Sequence, residues 1–355
     1  MYGYMTGKLK MQAEAGDQMT KPDTEDQVTA AEDVQPANAP APTPRTSSAL
    51  RPSSFAAILA QAAERRPLRP KSLIMTIFGD SVLPRGGVVW LGSIVAMTRL
   101  FGMAEPLVRT SALRLTYDGW LKREQVGKRS YYSMAEDFAV ADSAYQSRIY
   151  GSGAELRMNG WTILKVFTDK IDRKTAYRLR QELDRNGFGQ LAPQVFIHPS
   201  IGESAAHHIA TVGGGRSAVG PVFFADSTAI DLQTMRHLVG TAWDLTPVRD
   251  AYVEFIEAFD RLPDLLARTS PTMQEAFALR ILMMHYYRRV ALRDPRLPDS
   301  ARGENWPGDR AYRLMGEVYR KLLPGSEAYL DQTLETLPGQ SVSADVRLNR
   351  RFGLA

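Results

Sequence analysis

The chain contains no cysteine. That excludes a disulfide scaffold, thiolate metal sites and a cysteine nucleophile. No apolar run approaches the 18 or so residues of a membrane span, and the first residues are too polar for a secretory signal. A cytoplasmic protein without a membrane partner is the simplest expectation. Histidine is scarce, with five in all: His198, His207, His208, His237 and His285. His207 and His208 are adjacent, so on a helix they point about 100° apart and cannot make a His-x-x-x-His metal pair. His237 follows Asp231, but only the fold could join them into a metal or base site. No metal, cofactor or catalytic residue is expected.

Positive charge is present, and it is unevenly placed. The 355 residues carry a formal net charge of +5. Residues 1–60 hold five Lys/Arg against seven Asp/Glu, whereas residues 65–134 hold twelve against four. A local excess of eight suits a polyanionic partner, because phosphate contacts supply much of the affinity for DNA. An ordinary solvated basic face is the alternative.

The basic segment also has an ordered pattern. Leu73, Ile74, Ile77 and Phe78 share one helical face. Asp80 to Gly87 reads as turn, Val88–Trp90 as a short strand, and Leu91–Phe101 as a second helix stopped by Gly102. A third helix opens near Ala104, with Glu105 and Pro106 suited to its first turn. Val108, Ala112 and Leu115 recur at core spacing, which leaves Arg109, Thr110, Leu113, Arg114 and Tyr117 on other faces. Gly119 ends this helix and Trp120 packs beneath the junction. Leu121–Gln125 and Arg129–Ser133 then flank Val126, Gly127 and Lys128 in a short hairpin. Three helices followed by a basic hairpin is the order of a winged helix-turn-helix. Arg109, Thr110 and Arg114 would meet base edges or nearby phosphates, while Lys122, Arg123, Lys128 and Arg129 would hold the DNA backbone.

The remaining chain divides by composition. Residues 1–64 read as a disordered arm rich in Ala, Pro, Thr, Asp and Gln, although Phe55–Ala60 has the pattern of a short helix that could cover the first domain. Residues 65–134 are the DNA-binding domain and 135–158 a connector. Residues 159–232 follow a β-α-β-β-α-β rhythm, which is ferredoxin-like. Residues 233–340 are helical, with apolar area suited to effector sensing and dimerisation, and 341–355 form a tail. The expected class is therefore α+β. Gly213–Ser217 lacks Walker spacing and reads as a flexible loop, with an anion nest as the alternative. Asp169 and Asp172 could bind a divalent ion in a nuclease, but carboxylate pairs in turns are common. Arg288, Arg289, Arg293 and Arg296 suit a helix C-terminus, an anionic-ligand site or a salt-bridged interface.

Several of these segments resemble the PaaX family of phenylacetic acid degradation repressors. The likeness runs through Leu68–Asp80, Pro84–Gly87, Trp90-Leu91, Val108–Thr110, Arg114-Leu115, Gly119–Leu121 and Val126–Tyr132. It continues at Trp161, Asp169–Phe188, Ala242–Leu245, His285–Arg289, Asp294–Pro298 and Trp306–Gly308, and so covers residues 68–335. The resemblance implies a GntR-like winged helix, a middle domain similar to small CRISPR-associated nucleases and a helical C-terminal domain. It also implies a homodimer on double-stranded operator DNA, released by an aryl-CoA thioester such as phenylacetyl-CoA. Arg109, Thr110, Arg114, Lys128 and Arg129 fall on the family pattern. Ser111-Ala112-Leu113 departs from the Ala-Leu-Ser more usual there, a change that either alters operator preference or simply repacks the helix. No effector residue carries over from the family; Arg288, Arg289 and Arg293 are physical candidates for a CoA phosphate patch. A metal-dependent nuclease or an acyl-CoA hydrolase is the rival reading.

Overall fold

The computed structural model describes residues 54–135, 146–151, 160–199, 201–226, 231–297, 299–302, 305–340 and 346–353. Most of the expected N-terminal arm therefore lies outside the described residues, as does most of the connector. The described chain is mixed helix and sheet, as the sequence led us to expect.

Helix α1 spans Phe55–Arg65, and the Ser54 hydroxyl caps its first turn by accepting from the Ala57 N–H at 3.2 Å. It lies within the segment expected to be a disordered arm, so that expectation is corrected for these residues. Nor does α1 cover the first domain. Phe55, Ile58 and Ala62 are buried among C-terminal helices, and the Tyr286 hydroxyl donates to the Ala62 carbonyl.

Helix α2, Pro70–Ile77, runs on through a π turn, Phe78–Val82, and a 3-10 turn, Leu83–Arg85. The expected turn at Asp80 is thus helical as far as Arg85. Strand β1 (Val88–Trp90), α3 (Leu91–Arg99), α4 (Glu105–Tyr117), β2 (Leu121–Val126) and β3 (Arg129–Met134) follow in order. The strands form an antiparallel sheet in the order β1-β3-β2. Gly127 has φ +59°, the value that a type II′ hairpin asks of its first central residue. Val108, Ala112 and Leu115 of α4 pack with Ile74, Ile77, Phe78, Ile94 and Tyr132.

The next stretch builds a four-stranded sheet from β4 (Gly160–Val166), β5 (Gly189–Ala192), β6 (Val195–His198) and β7 (Val219–Asp226), ordered β5-β6-β4-β7 and antiparallel throughout. Helices α5 (Arg173–Arg185) and α6 (Glu203–Gly214) cover one face through Leu179, Leu183, Ala206 and Ile209, packed on Leu164, Val166 and Phe196. Side chains alternate across a strand, so Trp161 and Ile197 face the other way. There they meet Val239 of α7 (Leu232–Ala242). Helix α7 was expected to belong with the C-terminal helices, and the structure places it on this sheet instead. Gly213 and Gly214 end α6 as helix rather than loop. A Cβ on Gly213 would sit 2.9 Å from the Leu179 Cα, so the glycines serve close packing of α6 on α5. That accounts for them without an anion nest.

Helices α8 (Thr246–Phe259), α9 (Leu262–Arg268), α10 (Met273–Ala291) and α11 (Pro307–Thr333) make the third assembly. Thr272 and Glu275 form a capping box at the start of α10. Helix α11 continues through Pro324. The first and third assemblies are not separate cores. Phe277 and Ile281 of α10 and Tyr329 and Leu330 of α11 belong to the same cluster as α2 and α4.

A buried polar network reinforces that junction. Asp80 is paired with Arg280 at 2.9 Å and with Arg351 at 3.1 Å, and all three are buried. The Tyr150 and Tyr319 hydroxyls also donate to Asp80 Oδ1, at 2.9 and 3.1 Å. Glu327 bridges Arg280 at 2.6 Å and Arg85 at 2.7 Å, and Asp331 holds Arg85 at 2.8 Å. Three carboxylates thus answer three guanidiniums. Burial alone would lower the pKa of Arg280, but Asp80, Tyr319 and Glu327 outweigh it and raise the value. Arg351 and Phe352 come from the expected C-terminal tail, whose 3-10 segment Val346–Gly353 is instead part of the core.

Candidate nucleic-acid interface and adjoining cavity

Helix α4 is held by its buried stripe, so its other faces are fixed in place. Arg109, Thr110, Leu113, Arg114 and Tyr117 are all exposed, as the sequence spacing required. Arg109 forms an i,i+4 ion pair with Glu105 at 2.7 Å, and both side chains are about half exposed. Such a pair is worth about 0.3–0.5 kcal/mol, so a phosphate could displace Glu105 readily. The Thr110 hydroxyl donates to the Pro106 carbonyl at 2.9 Å.

The hairpin divides its cations between two faces. Arg123 is paired across the strands with Tyr132, and Lys122 with Ser133. Arg123 donates to Ser130 Oγ at 2.9 Å and to Gln125 Oε1 at 3.2 Å, which leaves it exposed on the α4 side. Burial raises the Tyr132 pKa, with Arg123 and Arg109 opposing it, so both guanidiniums lie within electrostatic reach of one phenol. Lys128 is exposed at the hairpin tip.

Arg129 is placed differently from the rest of the expected set. It stacks over the Trp90 ring at 4.5 Å and pairs with Glu335 at 2.6 Å. Its side-chain hydrogen bond to Glu335 is the largest cause of a raised pKa. The Glu335 backbone in turn accepts from the Trp90 N–H at 2.8 Å and donates to Ser93 Oγ at 2.9 Å. Arg129 thus ties the hairpin to the end of α11, a role that its place in a basic run did not signal.

Beside the base of α4 lies a cavity of about 760 Å³, within the roughly 300–1,000 Å³ usual for small-molecule sites. Arg288, Arg289 and Arg293 all line it. The fourth member of that run, Arg296, does not; it is largely buried and donates to the Arg148 carbonyl at 3.0 Å and the Tyr287 hydroxyl at 3.3 Å. Arg66, Arg69 and Lys71 also line the cavity, and the sequence reading missed their part because they precede the first expected helix. Thr76, which lines it, lies 2.9 Å from His285 Nδ1 and 2.9 Å from the Ser72 carbonyl. Burial, then Arg288 and Arg289, push the pKa of His285 down to about 3.

Two rival sites dissolve into local structure. Asp172 caps α5, accepting from the Thr175 N–H at 2.8 Å, and that backbone bond is the main cause of its lowered pKa. Asp231 caps α7 in the same way through Thr234. Among the described residues, no group of three His, Cys, Asp or Glu side chains could hold a metal ion, and no helix is long and apolar enough to cross a membrane.

The described chain thus carries a basic helix and a basic hairpin on a mixed helix-and-sheet fold. The family described as PaaX-like protein matches residues 69–138, and the PaaX-like protein C-terminal domain matches residues 243–332. The transcriptional repressor PaaX of Escherichia coli (strain K12) is 30% identical over 303 residues, covering 85% of this chain and 95% of that protein. The chain belongs to the PaaX family of transcriptional repressors. Among solved structures, the uncharacterized protein Rv0674 from Mycobacterium tuberculosis matches with a TM-score of 0.39 and 20% identity, covering 66% of this chain and 89% of that one.

Proposed function

We propose that this repressor binds double-stranded operator DNA through α4 and the β2–β3 hairpin, as a winged helix-turn-helix. The observation that carries the proposal is the exposure of Arg109, Thr110 and Arg114 on α4 beside Arg123 and Lys128 of the hairpin. Helix α4 would enter the major groove, with Arg114 and Arg109 reaching base edges or phosphates and Thr110 packing between them. Lys122, Arg123 and Lys128 would hold the backbone. Arg129 contributes chiefly by fixing the hairpin on Trp90 and Glu335.

The DNA-binding domain would cover residues 65–134. A ferredoxin-like domain would follow, extended to include α7, and then a helical domain that includes α1 and the C-terminal segment. The β-α-β-β-α-β order and the β5-β6-β4-β7 sheet support the middle assignment. The protein would act as a homodimer, setting equivalent helices in successive major grooves of a near-palindromic operator. An aryl-CoA thioester would release it, with Arg288, Arg289 and Arg293 on the phosphate side. Release requires the ligand to prefer a geometry that mismatches the operator, since equal binding to both states shifts nothing. We read the chain as a regulator rather than an enzyme. The test is a titration of the purified protein on its own upstream DNA, with Arg114→Ala as comparison. Equal binding by both proteins would overturn the assignment of α4.

A further inference from the structure

Four of the nine large apolar side chains exposed among the described residues lie on α4 and its hairpin: Leu107, Leu113, Tyr117 and Val126. A single exposed leucine is ordinary, but this concentration falls on the surface that also carries the arginines. Leu113 is 37% exposed and Tyr117 81%. At about 100° per residue, Leu113, Tyr117, Thr110 and Arg114 stand about 40°, 80°, 100° and 140° round the helix from Arg109. Leu113, Tyr117 and Thr110 thus form a strip between the two arginines. The buried stripe of Val108, Ala112 and Leu115 lies on the opposite side.

The strip is less polar than its residue names suggest. The Thr110 hydroxyl donates to the Pro106 carbonyl one turn back, at 2.9 Å. With the hydroxyl engaged inside α4, the Thr110 methyl group is free to make an apolar contact. Leucine neither donates nor accepts, so Leu113 can hold no phosphate and no polar base edge. In the major groove, the apolar group that a base presents is the C5-methyl of thymine. A second copy of α4 docked on this strip would bury Arg114, which has no carboxylate partner among the described residues, and burying an unpaired guanidinium is costly.

We propose that α4 recognises thymine by its 5-methyl group, through Leu113 and the methyl of Thr110, while Arg109 and Arg114 supply the polar contacts on either side. The proposal deepens the reading of α4 as the element that reads DNA and rests on it. Arginine reads guanine best, so thymine positions need a different reader. The apolar strip is that reader, and it gives α4 a share of sequence selection that charge cannot supply.

The test uses the full chain on its own upstream DNA, with each thymine of the bound segment replaced in turn by deoxyuridine. That change removes one methyl group and leaves base pairing intact. At a contacted position it should weaken binding by the parent protein about three- to fourfold, the worth of one buried methyl group. Leu113→Ala should bind the thymine duplex more weakly and cease to respond at one or more of these positions. Its urea midpoint should stay with that of the parent, as for a solvent-facing substitution, which shows that it folds. Arg114→Ala should bind more weakly yet respond to deoxyuridine as the parent does. Thr110→Val, which keeps the methyl and drops the hydroxyl, should keep the whole response. A selective complex in which no deoxyuridine position matters would overturn the methyl contact and leave α4 as an arginine-based reader. An undiminished response in Leu113→Ala would overturn the role of Leu113. A response lost in Thr110→Val would assign Thr110 to its hydroxyl and overturn its share. A change in the oligomeric state of Leu113→Ala, measured by light scattering, would make the strip a protein interface and end the proposal. A parent protein that forms no sequence-selective complex would defeat the reading of α4 itself.

Discussion

Replacing Asp80 by alanine should cost this protein a large part of its stability. The Asp80 side chain is buried and receives Arg280, Arg351, Tyr150 and Tyr319 at 2.9–3.1 Å. Its removal leaves Arg280 with Glu327 and Ser81, and Arg351 with the Asp80 and Gly79 carbonyls and Tyr319. Two buried cations are then short of negative charge. Breaking a buried pair by removing one partner costs about 3–5 kcal/mol, and Glu327 should hold the figure near the lower end. Against a typical total of about 5–15 kcal/mol, that is a large fraction. Urea unfolding followed by tryptophan fluorescence and by circular dichroism should show a lower midpoint with an unchanged slope. Arg351→Ala acts on the same carboxylate, so the double variant should lose clearly less than the sum of the singles. A loss below about 1 kcal/mol, the scale of an exposed pair, or strict additivity would refute the idea that this network joins α2, α10 and the C-terminal segment.

Lys128→Ala should weaken binding evenly across DNA sequences and reduce the salt slope by about one in a filter-binding series; a sequence-dependent effect would place Lys128 at base edges instead. Glu335→Gln should loosen the hairpin and free Arg129, which protection of the β3 amides from hydrogen exchange would register as a loss; undiminished protection counts against the tie. His285 takes up protons in the unfolded chain near 6.5 but in the folded protein only near 3. Falling pH between those values should therefore favour unfolding, by about 5 kcal/mol at most at roughly 1.36 kcal/mol per pH unit. Unfolding midpoints across that range should fall less steeply for His285→Gln, and parallel curves would refute the assignment.

The exposed faces of α4 and the hairpin were legible in the sequence because their signals are local. Val108, Ala112 and Leu115 fix the buried stripe of α4, and Gly127 fixes the hairpin, so the exposed side chains follow by subtraction. Strand alternation could also have shown that Arg123 and Arg129 lie on opposite faces. What the sequence could not show depends on long-range pairing. Asp80 reads as a turn former until Arg280 and Arg351, about 200 and 271 positions away, supply its charge partners. Gly213 and Gly214 read as loop because their partner, Leu179, lies on another helix. Arg69 and Arg289 line one cavity for the same reason, and only one of them sat in a recognisable basic run.

The most direct test of the account is a salt-dependent titration of the chain on its own upstream DNA, repeated with Arg109→Ala and Arg114→Ala. A sequence-selective complex should form and weaken steeply with salt. Each substitution should cost about 1–3 kcal/mol and relax discrimination between operator and scrambled DNA. If the parent protein forms no selective complex, or both variants discriminate as well as it does, α4 is not the element that reads DNA.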